Sequence, residues 1–217
     1  MMGTRIFADR VEAGRLLARE LVARDYPDPV VLALPRGGVP VAAEVAEALG
    51  APLDLVLVRK IGVPYQPELA LAAVVDGDHP ELVVNEEVRR HAGVDDEELE
   101  ELKADEIREL ERRREHYLRG RQRVPVRDRT AIVIDDGIAT GATVRAALLA
   151  IRRARPARLV LAVPVAPPDT VRSLRDEVDD LVCLETPRWF GAIGAFYRDF
   201  RQTSDQEVVD LLARYAP

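Results

Sequence analysis

Apolar positions along this chain switch between two spacings, and the switching outlines a fold. Val11, Leu16, Leu17 and Leu21 recur at helical spacing and predict an amphipathic helix over residues 9–24. Val30-Val31-Leu32-Ala33-Leu34 is a short apolar run closed by Pro35-Arg36-Gly37-Gly38, the pattern of a buried strand ending in a tight loop. Val39 to Leu49 reads as a helix stopped by Gly50 and Pro52. Leu53 to Val58 predicts a second buried strand, ending in Arg59-Lys60. Leu69 to Val75 and Glu81 to Val84, separated by Asp76-Gly77-Asp78, predict a hairpin.

Residues 95–119 predict a long, highly charged helix. Acids (Asp95, Asp96, Glu97, Glu98, Glu100, Glu101) crowd its start and Arg112, Arg113, Arg114 and Arg119 its end, an order that complements the helix dipole. Glu109–Arg113 adds support at i,i+4 spacing. Leu99, Leu102, Leu110 and Tyr117 form only a thin apolar stripe, so the helix is expected to be a solvated face without chemistry.

After Pro125 the pattern is regular. Strands are expected at Ala131–Ile134, Leu159–Val163 and Leu181–Leu184, and helices at Ala142–Ala154, Asp169–Leu174 and Asp205–Tyr215. Buried strands alternating with helices imply an α/β fold: a parallel sheet covered by helices on both faces. A chain of 217 residues is expected to make one domain, with the helix at about 95–119 as an insertion.

Composition narrows the function classes. The formal charge of −7 argues against general nucleic-acid binding, which needs clustered cations, but leaves room for a small phosphorylated ligand. Lys60 and Lys103 are the only lysines among 31 basic residues, which makes a lysine after a strand a candidate for a compact ammonium contact; a surface lysine is the plainer alternative. Cys183 is the sole cysteine and reads as a small packing residue. His79, His91 and His116 read as surface residues. Met1 to Arg10 lacks the apolar core of a signal peptide, and no run approaches the ~18 apolar residues of a membrane span, so a cytoplasmic location without membrane contact is expected.

The segment richest in chemistry is Ile132-Val133-Ile134-Asp135-Asp136-Gly137-Ile138-Ala139-Thr140-Gly141-Ala142-Thr143. Ligands of open α/β sheets bind beyond the carboxyl ends of strands. Two adjacent carboxylates there are costly to bury and are expected to face solvent, a ligand or a metal. Gly137 and Gly141 permit a tight loop, Thr140 and Thr143 add hydroxyls, and the next helix begins with free N–H groups. That set suits a monophosphate. The lysine of a nucleoside-triphosphate P-loop and the G-x-G-x-x-G spacing of dinucleotide folds are both missing.

This stretch closely resembles the 5-phosphoribosyl 1-pyrophosphate (PRPP) motif of type I phosphoribosyltransferases. The resemblance implies that Asp135 and Asp136 bind the ribose hydroxyls and that Ala139, Thr140, Gly141, Ala142 and Thr143 hold the 5′-phosphate. It implies a pyrophosphate loop at Arg36, Gly37 and Gly38, with a cis peptide at Pro35–Arg36, joined by Lys60. Pro67-Glu68-Leu69-Ala70 resembles the family's flexible hairpin. Implied too are Mg²⁺ bound mainly through PRPP and water, a planar acceptor that is a nucleobase, and a hood built from residues 1–25 and 186–217. Half of the aromatic residues fall in 189–200, among them Trp189 and Phe190; they are candidates to stack on the acceptor, and packing of the tail or a homodimer contact is the alternative. No residue is assigned as catalytic. Ala139 stands where many purine-type members carry an acid, which weighs against purine specificity. A non-catalytic regulator sensing PRPP or a nucleotide is the competing function on this fold, and a phospho-acceptor receiver module a more distant one.

Overall fold

The computed structural model describes residues 4–76, 80–118 and 120–215. Five parallel strands form the main sheet: β1 (Pro29–Ala33), β2 (Leu53–Leu55), β6 (Thr130–Ile134), β7 (Arg158–Val165) and β8 (Asp180–Glu185), in the order β2-β1-β6-β7-β8. A second, antiparallel sheet holds β3 (Val58–Val63), β4 (Gln66–Val75) and β5 (Glu81–Val84). The helices are α1 (Arg10–Val22), α2 (Gly38–Leu49), α3 (Glu86–Ala92), α4 (Asp96–Leu118), α5 (Ala142–Arg153), α6 (Pro168–Arg175) and α7 (Asp205–Arg214).

The central strands are apolar throughout because both faces of the sheet are covered. Val31 and Ala33 of β1 with Ile132 and Ile134 of β6 pack into one cluster that takes in Leu17, Val41, Val45 and Leu212 from α1, α2 and α7. Their alternate neighbours Val30, Leu32, Ala131 and Val133 pack against Val144, Ala147 and Leu148 of α5 on the opposite face. All five residues of β6 are buried. No helix among the described residues is long and apolar enough to cross a membrane.

One expected strand divides in two. The apolar run from Leu53 leaves the main sheet after Leu55, with Val56 N still donating to Ala33 O at 3.0 Å, and Val58 then starts β3 in the other sheet. Arg59 and Lys60 therefore sit inside β3, paired with Val74 and Ala73, instead of ending a parallel strand. Val56 and Leu57 are both buried, so hydrophobicity alone carries no mark of the change of partner. The helix α3 was also not anticipated, although Asn85, the chain's sole asparagine, caps it by accepting from Val88 N, and Gly93 ends it at φ 70°.

The charged helix α4 is more firmly docked than its composition suggests. Leu99, Leu110, Tyr117 and Leu118 are buried, and Leu110 is only 2% exposed. Arg59 reaches Glu106 at 2.5 Å, and Arg114 reaches Asp76 at 2.7 Å. Tyr117 Oη donates to Asp205 of α7 at 2.6 Å. The expected hairpin turn at Gly77-Asp78, His79, Arg119, and the side chains of Pro67, Glu68 and Ala70 lie outside the described residues.

Candidate functional site

The chain runs outward from β1 to β2 on one side of the sheet and from β6 through β7 to β8 on the other, so β1 and β6 flank the point where the strand order reverses. Open α/β sheets form their ligand crevice there, beyond the strands' carboxyl ends. Register makes the crevice compact: Pro29 pairs with Thr130 and Ala33 with Ile134, and Leu34 N donates to Ile134 O at 2.9 Å. The loops after the two strands are thus delivered side by side.

Their contact explains the glycines. A Cβ on Gly37 would lie 2.6 Å from Cγ of Asp136, and one on Gly38 would lie 2.7 Å from Ile134 O. Side chains at either position would push the Arg36-Gly37-Gly38 loop off the acid pair. The Pro35–Arg36 peptide is cis. Arg36 Nη1 lies 3.5 Å from Asp205 at the start of α7, a loose pair with both side chains partly exposed.

Past Asp136 the chain forms an open loop. Ala139, Thr140, Ala142 and Thr143 are exposed, and Gly141 turns the chain into α5 at φ 80°, a conformation that favours glycine. No side chain caps α5, so its first amides are left for an anion. Thr170 Oγ1 donates to Ala139 O at 2.7 Å and steadies the loop from α6. Thr140, Ala142 and Thr143 share a cavity of about 540 Å³ with Lys60, Val58 and Arg145, so the loop after Asp136 and the early lysine line one space. A smaller recess of about 70 Å³ lies beside it, bordered by Pro35, Asp135, Thr143, Leu110 and Arg113.

The two aspartates differ. Asp135 is half-buried and borders the recess, and its Oδ1 accepts from Asp136 N at 2.9 Å. Burial, reinforced by the charge of Asp136, pushes its carboxyl well up from the ordinary range. Of the expected surroundings, solvent, a ligand or a metal, solvent does not apply to Asp136. It is 7% exposed and accepts from Arg10 Nε at 2.8 Å. Burial raises its pKa while the Arg10 bond opposes the rise. The physical reason for the difference is a buried counter-charge: Arg10 stacks 4.0 Å from the Phe200 ring centroid and donates to Arg201 O at 2.7 Å. Tyr197 Oη donates to the Asp136 carbonyl at 2.6 Å.

These contacts come from the two ends of the chain, which run together where Phe7 pairs with Tyr197. The aromatic group there divides. Phe190 stacks on Phe196 with centroids 5.2 Å apart and packs with Phe7 and Val165, so it belongs to a small core. Trp189 is 92% exposed. Arg10 itself was invisible to sequence reasoning, because 126 residues separate it from Asp136 and nothing local marks it.

Other candidates are set aside by geometry. His91 and His116 are exposed, and neither lines the crevice cavities. Burial pushes the Cys183 thiol up to about 11, which suits a packing role. Among the described residues no group of three or more His, Cys, Asp or Glu stands together as a metal site. The crevice offers oxygen donors from Asp135, Thr140 and Thr143, a set that fits a hard cation carrying most of its ligands as water and substrate.

Comparison with known proteins agrees with this geometry. Two Mycobacterium tuberculosis proteins, from strains CDC 1551 and H37Rv, are each 48% identical over 210 residues and carry provisional phosphoribosyl transferase names. The match covers 97% of this chain but 47% of theirs, so the chain spans about half the length of these relatives. The crystal structure of TT1426 from Thermus thermophilus is 43% identical, covers 98% of this chain with all of its own, and superposes with a TM-score of 0.86. The profile of the phosphoribosyl transferase domain matches residues 5–201. With the crevice, its two loops and this match in agreement, the chain belongs to the phosphoribosyl transferase domain family.

Proposed function

We propose that the protein binds PRPP in the crevice between the β1 and β6 loops and transfers its phosphoribosyl group to a planar acceptor, a nucleobase, releasing pyrophosphate. The observation that carries this reading is the meeting, at the reversal point of the sheet, of a carboxylate pair with an exposed loop leading into an uncapped helix. The amides and hydroxyls of Ala139–Thr143 take the 5′-phosphate. Asp135, with Asp136 behind it, accepts from the ribose hydroxyls. Arg36 and Lys60 face the pyrophosphate, with Gly37 and Gly38 allowing its close approach.

In the reaction the C1–O bond breaks with its electron pair leaving on pyrophosphate, and an acceptor nitrogen forms the new bond to C1 and gives up its proton. The chain's part is to orient the sugar and to set fixed charges and dipoles around the leaving group. Mg²⁺ would be held mainly by substrate oxygens and water, with Asp135 as a hard donor of the chain, and would supply neutralisation of the pyrophosphate charge. Trp189 is the candidate surface for stacking the acceptor; Phe190 is withdrawn from that role by its packing.

A second reading, a PRPP- or nucleotide-sensing regulator, is favoured by two features: Ala139 offers no proton-transfer group, and Asp136 is already held by Arg10. Labelled PRPP incubated with hypoxanthine, guanine, adenine, xanthine, uracil and orotate separates the two. Release of pyrophosphate with one base, abolished in Asp135→Asn, supports the transferase. Tight PRPP binding without turnover on any base supports the sensor.

A further inference from the structure

The charged helix α4 forms part of the crevice wall. Leu110 and Arg113 border the small recess together with Pro35, Asp135 and Thr143. A separate contact ties the same helix to the loop after β1: Asp205 accepts from Tyr117 Oη at 2.6 Å and lies 3.5 Å from Arg36. Pro35 borders the recess on the side of the loop after β1 and Thr143 on the side of α5, with Asp135 also in its lining.

Two neighbouring arginines of α4 provide an internal comparison. Arg112 and Arg113 both donate from Nε to Glu109, each at 2.8 Å, and together hold its carboxyl down at about 2. Only Arg113 borders the recess; the Arg112 side chain is 69% exposed against 41% for Arg113. The bond from Nε to Glu109 orients the Arg113 guanidinium while its Nη groups stay outside that bond. A guanidinium so placed matches the paired oxygens of a phosphoryl group.

We infer that Arg113 is a ligand-binding residue that meets the pyrophosphate end of bound PRPP, beside Arg36 and Lys60. The inference rests on the PRPP reading above. Calorimetry with PRPP and Mg²⁺, and separately with ribose 5-phosphate, on wild type, Arg113→Gln, Arg113→Lys and Arg112→Gln tests it. Arg113→Gln is expected to weaken PRPP roughly tenfold or more, the least that one charge-assisted contact carries. The same variant leaves ribose 5-phosphate within about twofold, Arg113→Lys recovers part of the loss, and Arg112→Gln changes neither ligand beyond about twofold. Equal PRPP affinities in Arg113→Gln and Arg112→Gln overturn the inference while leaving the PRPP reading intact. So does an Arg113→Gln loss that is as large for ribose 5-phosphate. A wild-type protein that takes up neither ligand removes the PRPP reading and this inference with it.

Discussion

Replacing Arg10 by Met tests whether the acid pair is held by a buried counter-charge. Arg10 and Asp136 side chains are 11% and 10% exposed, and the pair is 2.8 Å apart. Removing one member leaves an uncompensated carboxylate in the protein, at a cost of about 3–5 kcal/mol. In a chain of this size ~1 kcal/mol moves Tm by about 2–4 °C, so the melting point is expected to fall by roughly 6–20 °C near neutral pH. Burial already raises the Asp136 pKa and Arg10 is what opposes it, so without Arg10 the pKa rises further. A carboxyl held above its unfolded pKa costs stability as pH rises from the unfolded value to the folded one. The deficit of the variant is therefore smallest at acid pH, where Asp136 is protonated with or without Arg10, and grows as pH rises from the wild type's folded-state pKa toward the variant's higher one. Arg10 is the cation in contact with this carboxylate, with Asp135 and the Tyr197 ring among its other neighbours. Thermal melts by circular dichroism at acid and neutral pH, repeated on Arg10→Met/Asp136→Asn, give the answer. The double variant should recover about 2 kcal/mol or more relative to the sum of the singles. Additive single losses, or an Arg10→Met deficit under about 1 kcal/mol at both pH values, would refute the reasoning.

Two further outcomes follow from the same geometry. Gly37→Ala drives a methyl group into Asp136 and is expected to cost about 1–3 kcal/mol in urea unfolding and to abolish measurable PRPP uptake; a variant with native affinity would show that the two loops do not need their close contact. Asp135→Asn is expected to raise Tm at neutral pH by at least roughly 2 °C while weakening PRPP binding, because the folded protein holds this carboxyl above its unfolded pKa and so loses stability as pH rises from the unfolded value toward the folded one. That gain disappears below about pH 4, where the wild-type carboxyl is protonated in both states; a gain that persists there contradicts a charge origin.

The contiguous parts of the site were legible because their chemistry is local. Asp135 to Thr143 and Arg36 to Gly38 each sit on one turn of chain after an apolar strand; residue types marked the first as an anion loop, and the family resemblance singled out the second. Parallel strands sealed on both faces read as apolar runs, which made β1, β6, β7 and β8 easy to place. The same property hid the break after Leu55, since Val56 and Leu57 remain buried while the chain changes sheets. Tertiary partners were illegible for a different reason. Arg10 looks like any arginine at the start of a helix until the two chain ends meet beside Asp136. The charged helix read as solvated because its stripe is thin, yet Leu99, Leu110, Tyr117 and Leu118 are buried, and Leu110 borders the recess together with Arg113.

The central claim is that the amides entering α5 hold a sugar phosphate while the aspartates next to them receive its hydroxyls. A crystal structure with ribose 5-phosphate tests it most directly. The account predicts phosphate density within hydrogen-bond reach of the backbone N–H groups of residues 139–143 and ribose oxygens on Asp135. Phosphate bound at any other place, with that loop unchanged and solvent-filled, contradicts it.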